Sequence, residues 1–164
     1  MFLRVWCFIT LILAALDMGL AFCHTLELPA KMNYPPSLYV AVQHTLYRAF
    51  GAIPGASAEI GAILSAIVLV FLVRKRRPAF QLTLAGALFL AVAFFVVWIM
   101  FVAPVNAEFA KWTAESVPPD WTRWRDQWEY SHAARFVLQL IGFSTLVCAV
   151  LLEIPTDRPH DRVA

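Results

Sequence analysis

The chain has 164 residues, of which 61% are hydrophobic and 15% are charged. Soluble domains have about 45–50% apolar and about 25% charged residues, so this composition excludes a disordered chain and points to a protein embedded in a lipid bilayer. The net charge of +2 does not indicate a nucleic acid as a partner, and three cysteines without a Cys-x-x-Cys pair indicate neither a zinc site nor a disulfide framework.

Four apolar runs are long enough to cross a bilayer, which takes about 20 residues per helix. They cover residues 2–24, 54–73, 79–105 and 132–152 and leave no room for a separate soluble domain. We therefore predict an all-α fold, a four-helix transmembrane bundle forming a single membrane domain over residues 1–164. The first run is longer than the apolar core of a signal peptide and contains Asp17, so we expect it to remain as a helix.

The two long connections between these runs also carry helical signals. Apolar residues recur at helical spacing in the first of them, at Leu38, Val42, Leu46 and Ala49. This spacing predicts a short interfacial helix that Gly51 and Pro54 end. In the other long connection Pro119 suits the first turn of a helix, and neither Pro nor Gly follows until Gly142. We therefore expect the fourth helix to begin near Pro119, outside the bilayer.

One face of this fourth helix carries three indoles, two guanidinium groups, a carboxylate and an imidazole: Trp121, Trp124, Trp128, Arg125, Arg135, Glu129 and His132. An aromatic belt with snorkelling arginines explains the tryptophans. It explains less well why Glu129 and His132 continue the same stripe into the span.

Polar residues of the other helices fall near the same end of the bundle. Asp17 and His24 share one face of the first helix, Glu59 opens the second span and Asn106 closes the third. Ionisable residues within spans are costly and usually face a cavity or the interior of a bundle. The pattern predicts a polar pocket there, with a purely structural network, in which Arg135 or Arg48 pairs with Glu59 and Asp17, as the alternative.

The stretch PVNAEFAKW followed by PPDWTRWRDQWEYSHAAR resembles the signature of anthrone oxygenase-like membrane proteins, a group of four-helix proteins. HTLELPAKM and QHTLYRAFG are similar to its bacterial branch. Fungal members are associated with the oxidation of an anthrone to an anthraquinone by molecular oxygen, without a dedicated cofactor. The resemblance implies that the family's marked positions are Asn106, Arg125, Trp128, His132 and Arg135.

An anthrone-type hydroxyaromatic becomes reactive toward oxygen when it loses a proton, so the site needs a base, flat walls and dryness. We predict His132, Glu129 and Asn106 as catalytic residues, with His132 as the base. Residues that supply ring surfaces, stabilise the anion or line the pocket are predicted to bind the substrate: Trp128, Trp124, Tyr47, Arg125, Arg135, His24 and Glu59.

Two other functions fit the same residues. One is a non-catalytic bundle that binds a small hydrophobic molecule or serves as a subunit of a membrane complex. The other is a metal or haem redox protein, since Glu129-x-x-His132 has the spacing found in carboxylate-bridged diiron bundles. That motif should occur twice, and His24-x-x-Glu27 is a poor, reversed second copy. We therefore predict no metal or cofactor, and the sequence leaves the oligomeric state open.

The basic cluster Arg74-Lys75-Arg76-Arg77 lies in the short second connection, on the same side as Arg4, Arg158 and Arg162. On the opposite side, basic residues are spread over two long connections that also hold six acidic residues. Because a dense basic cluster in a short loop resists translocation, we expect both termini in the cytoplasm and the protein in a bacterial inner membrane.

Cysteine labelling checks this orientation, in a background where the three native cysteines are replaced by alanine. A cysteine at Lys111 should react with a membrane-impermeant reagent in intact cells, because its connection lies outside. A cysteine at Lys75 should not react until the cells are opened. The reverse pattern would overturn the assignment.

Overall fold

The computed structural model describes residues 1–153, apart from the side chain of Ala52. Five helices follow one another along this part of the chain: α1 (Phe2–Lys31), α2 (residues 36–50), α3 (Ile53–Val73), α4 (Ala79–Phe109) and α5 (Trp121–Leu151). Four of them, α1, α3, α4 and α5, are long and apolar enough to cross a membrane, which confirms the predicted four-helix bundle. Arg158 and Arg162, assigned above to the cytoplasmic side, lie outside the described residues.

Helix α5 begins where its sequence signals place it. Asp120 is the N-cap and Trp121 the first helical residue, close to the predicted start at Pro119. The helix then runs to Leu151 without interruption, because no proline follows within it and Gly142 is tolerated in its interior. This continuity carries the polar face of α5 directly into the apolar part of the bundle.

Helix α2 confirms the predicted short helix in the first connection, but its predicted end is wrong. A π-helical turn, Gly51–Gly55, joins α2 to α3 without a break. Pro54 lies inside this π-helical turn and supplies no backbone N–H to it, and the helical path continues past it. The chain therefore passes from the connection into the second span as a continuous helical path.

Two further π-helical segments occur within the helices, Gln43–Tyr47 in α2 and Val92–Val102 in α4. Such wide turns are rare and are frequent at functional sites. Here they rotate the residues that follow relative to an ordinary α-helix.

The four spanning helices pack in a ring, in which α5 contacts α1 and α4, and α3 contacts the same two helices. At one end the core consists mainly of small and aliphatic residues, including Ala14, Ala62, Ala66 and Leu146. At the other end, where α2 packs on the bundle, the core is aromatic and contains Tyr39, Phe109, Trp112 and Trp128. We refer to this as the aromatic end.

Glycines bring α4 and α5 into close contact. A Cβ atom on Gly86 would lie 2.7 Å from Cγ of Leu146 and 3.0 Å from the carbonyl oxygen of Gly142. Close approach at small residues is a common way for membrane helices to associate, because van der Waals packing drives their contact.

We expect Gly86→Ala to destabilise the protein by about 1–3 kcal/mol, because the added methyl group overpacks the α4–α5 contact. Gly19→Ala is the matched control, since no atom lies within 4 Å of a Cβ built there. Both changes raise helix propensity equally, so their difference isolates the packing effect. Thermal unfolding in detergent measures it, and equal midpoints for the two variants would contradict the close contact.

Candidate active site

A partly open cavity of about 650 Å³ lies at the aromatic end of the bundle. Its volume falls within the range of small-molecule sites, about 300–1,000 Å³. All five helices contribute to its walls, with polar or charged groups from each: Asp17 and His24 of α1, Gln43 and Tyr47 of α2, Glu59 of α3, Asn106 of α4, and His132 and Arg135 of α5. The pocket that the sequence predicts from converging polar residues is therefore present.

Helical spacing places these side chains on the inner faces. Trp128, His132 and Arg135 are separated by four and three residues and follow one another along a single face of α5. Asp17 and His24 are seven residues apart on α1 and face the same cavity. The π-helical segments contribute as well, since Tyr47, Gly51 and Trp98 lie within them and line the cavity.

Two imidazole rings meet in the wall of the cavity. The ring centroids of His24 and His132 are 4.2 Å apart, and both side chains are buried. Trp128 packs against His132 with a centroid distance of 4.2 Å, and Tyr47 packs against His24 at 4.8 Å. The imidazole pair is thus held between aromatic rings from α2 and α5.

A buried ion pair lies in contact with His132. Nη2 of Arg135 donates to Oε1 of Glu59, and Nη1 of Arg135 lies 3.3 Å from Nδ1 of His132. This pairing links α3 to α5, and it is one that the structural-network alternative also predicts. Asp17, in contrast, accepts a hydrogen bond of 2.9 Å from Nε2 of Gln139, and no arginine within residues 1–153 pairs with it.

A second buried network holds α2 against the bundle. Nζ of Lys31 lies 2.8 Å from Oε2 of Glu129, and the hydroxyl of Tyr39 donates to Oε1 of Glu129 at 3.0 Å. The hydroxyl of Tyr47 donates to Glu27. Lys31 and Tyr39 were not predicted as site residues, although Asp17, His24 and Lys31 recur at intervals of seven residues on α1. Extending that heptad spacing one step further identifies Lys31.

The tyrosines of α2 act as hydrogen-bond donors in this network. Burial raises the pKa of the Tyr39 and Tyr47 phenols above the usual value for tyrosine. The negative charge of Glu129 raises the pKa of Tyr39 further, and the hydrogen bond to Glu27 does the same for Tyr47. Both hydroxyls therefore remain protonated at neutral pH and keep α2 in place.

Three of the predicted site residues lie away from the cavity wall. Glu129 binds Lys31 and Tyr39, so its carboxylate does not orient His132. Arg125 donates to the backbone oxygen of Met32 at 2.9 Å. Trp124 packs at the edge of the aromatic core. The other predicted residues all line the cavity: His132, Asn106, Trp128, Tyr47, Arg135, His24 and Glu59.

Asn106 acts on the site through an indole. Its Oδ1 accepts a hydrogen bond of 2.8 Å from Nε1 of Trp128, which is the ring that packs on His132. Trp128 is 3% exposed. Residues of α2 and its neighbours cover this ring, and Trp121 is half-buried beside Tyr39. The face of α5 that carries the tryptophans therefore packs partly into the core.

The Glu129-x-x-His132 spacing does not bring the two side chains together as ligands of one metal ion, because the Glu129 carboxylate is bound to Lys31 and Tyr39. Among residues 1–153, no group of three or more His, Cys, Asp or Glu side chains is placed to hold a metal ion.

A sequence model of the anthrone oxygenase family matches residues 44–145. The chain belongs to the anthrone oxygenase family. The match includes Tyr47, Glu59, Asn106, His132 and Arg135, whereas the cavity residues of α1 precede it. No curated protein and no solved structure matches the chain significantly. Family membership supports an oxygenase-like function.

We expect Glu59→Leu and Arg135→Leu each to destabilise the protein by about 3–5 kcal/mol, because each leaves one buried charge without its partner. The double variant should be more stable than either single variant, since it removes both charges. Unfolding in detergent measures the three changes.

The exposed pair of Lys111 and Glu108 is the control for this comparison. Its side chains are 66% and 32% exposed, so Glu108→Gln should change stability by less than about 1 kcal/mol. If the double variant of Glu59 and Arg135 is destabilised by the sum of the two single destabilisations, the two residues are not coupled.

Proposed function

We propose that this anthrone oxygenase family member is a membrane-embedded oxygenase that binds a flat hydroxyaromatic molecule of the anthrone type and oxidises it with molecular oxygen. The observation that carries the proposal is the pair of imidazoles, 4.2 Å apart, in the wall of an aromatic-lined cavity. Imidazole is the side chain best suited to proton transfer near neutral pH.

The volume and the aromatic lining of the cavity support such a substrate. Trp98 and Phe94 from α4, Trp128 from α5 and Tyr47 from α2 provide ring surfaces along its walls. A volume of about 650 Å³ accommodates a fused three-ring molecule. Hydrophobic substrates of this kind partition into the bilayer, which surrounds the apolar outer faces of the spanning helices.

The reaction needs only a base, a stabilised anion and oxygen. An imidazole takes a proton from the CH₂ carbon between the aryl rings, and the electron pair moves onto the substrate's carbonyl oxygen. The anion then passes electrons to O₂, a carbon–oxygen bond forms and protonation gives a hydroperoxide. Loss of water breaks the second C–H bond and the O–O bond and forms the new C=O, so that CH₂ and O₂ become C=O and H₂O.

Arg135 supports the anionic stage of this reaction. Its guanidinium lines the cavity and contacts His132, so a fixed positive charge lies close to the point where negative charge develops. Electrostatic preorganisation of this kind contributes strongly to catalysis in sites that exclude water. Glu59 holds the guanidinium in position.

A bacterial inner-membrane location with cytoplasmic termini remains part of the proposal, supported by the short basic connection between α3 and α4. In that orientation the aromatic end and its cavity lie on the outer side of the membrane.

Purified protein in detergent should convert anthrone to anthraquinone with one O₂ consumed per product. Ala56→Phe should lower kcat/KM by about 10²-fold, because the new ring occupies the cavity and displaces the substrate. Ala49→Phe is the matched control, since Ala49 is exposed on α2 and does not line the cavity. Product absorbance and an oxygen electrode give the rates.

The same assay separates the oxygenase from a carrier. A carrier would bind anthrone, with weaker binding in Ala56→Phe, and would consume no oxygen above the buffer rate. Equal activity of the Ala56→Phe and Ala49→Phe variants would place the reaction outside this cavity.

A further inference from the structure

We propose that the two histidines of the cavity have different roles: His24 is the base that takes the substrate's proton, and His132 donates a hydrogen bond to the substrate oxygen that becomes negative. This assignment rests on the proposed oxygenase function and reverses the role predicted for His132 from the sequence.

The role of His132 follows from its contact with Arg135. A guanidinium group carries only donors and stays protonated in proteins. Nη1 of Arg135 lies 3.3 Å from Nδ1 of His132, so Nδ1 is the acceptor and its lone pair is occupied. The neutral ring therefore carries its proton on Nε2. In this state His132 offers a donor to the cavity and has no free lone pair with which to act as a base.

Arg135 also opposes a second proton on His132. A proton on Nδ1 would point at the guanidinium, and two positive groups would then be in direct contact inside the bundle. Glu59 holds Arg135 in this position, and both side chains are only 8% exposed, so the guanidinium cannot turn away into water. His132 is thus kept as a neutral donor.

His24 has no such partner. Its Nδ1 is buried and makes no hydrogen bond within residues 1–153, so Nε2 is the ring nitrogen available to a ligand. No contact within residues 1–153 occupies a lone pair of this ring, so the tautomer with its proton on Nδ1, which leaves the Nε2 lone pair free for the cavity, is open to it. Of the two imidazoles, His24 is therefore the one that can accept a proton from the substrate.

A base in this position becomes positive during the reaction, so the charges around His24 matter. The titratable and charged groups that share its cavity come from four helices: Asp17 of α1, His44, Tyr47 and Arg48 of α2, Glu59 of α3, and His132 and Arg135 of α5. Lys31, one heptad further along α1, is paired with Glu129. The charges of Glu59 and Arg135 offset one another, and His132 is neutral in this assignment. Among the described residues, Asp17 is the carboxylate of the cavity lining without a cationic partner, so it is the group available to offset a positive charge on His24.

The proton-transfer step balances with these roles. The substrate's C–H bond breaks as an N–H bond forms at Nε2 of His24. The electron pair remains on the substrate and moves to its carbonyl oxygen, which accepts a hydrogen bond from Nε2–H of His132. Oxygen, the oxidant of the proposed function, then reacts with this anion.

Glutamine variants distinguish the two roles. In His132→Gln the amide oxygen can accept from Arg135 while the amide N–H₂ donates to the substrate. This variant should retain activity within about tenfold of the wild type, whereas His132→Ala should lose about 10²–10³-fold. His24→Gln and His24→Ala should both lose about 10²–10⁴-fold, because neither side chain accepts a proton.

The pH dependence supplies a readout that structural damage would not reproduce. As the pH rises toward the substrate's own pKa, more anthrone reaches the site already deprotonated. The deficit of His24→Ala relative to the wild type should then shrink by about tenfold per pH unit, because the missing base is bypassed. The deficit of His132→Ala should stay constant, since the anion still lacks its donor.

Binding of 1,8-dihydroxyanthraquinone, followed by its visible absorption, tests the donor role without turnover. The wild type, His132→Gln and both His24 variants should shift the probe spectrum toward its phenolate form, and His132→Ala should not. If the wild type oxidises nothing but shows this pattern, the oxygenase proposal fails and the donor role stands. Activity in His24→Gln together with loss in His132→Gln would overturn the assignment of roles.

Discussion

Arg135 and Glu59 carry opposite charges inside a bundle whose outer surface is apolar, and each is tolerated there because the other is present. The pair joins α5 to α3 and fixes the direction of the guanidinium. That direction brings Nη1 to His132 and determines which nitrogen of the ring carries a proton. In the proposed reaction this ion pair therefore acts twice, by fixing the proton of His132 and by holding a positive charge beside the substrate anion.

The aromatic end is closed by a second buried pair of opposite charges. Lys31 and Glu129 are 2% and 0% exposed, and Nζ of Lys31 also lies 4.8 Å above the ring of Trp128. Because Tyr39 donates to Glu129 and Tyr47 donates to Glu27, side-chain hydrogen bonds attach α2 to α5 and α1. Helix α2, which forms part of the cavity wall, is thus held by polar contacts beside an aromatic core.

Wide helical turns give the cavity its shape. Each of the π-helical segments Gln43–Tyr47, Gly51–Gly55 and Val92–Val102 supplies lining residues. An extra residue in a turn shifts the register of the side chains that follow, which directs Tyr47 and Trp98 inward. The cavity also draws Asp17 and His24 from α1, outside the range that matches the anthrone oxygenase family, so the family match covers only part of the site.

The sequence by itself determined the four spanning helices and the start of α5, because apolar length and the Pro119-Asp120 signal act locally. It also located most of the cavity, since ionisable residues such as Glu59 and His132 must face inward from apolar helices. It did not determine which side chains pair, because Lys31 reaches Glu129 only through the packing of α1 against α5. The tertiary structure also decided the helical path from α2 into α3 through Gly51 and Pro54, and the placement of Glu129 away from His132. Both depend on packing against residues that are distant in the sequence.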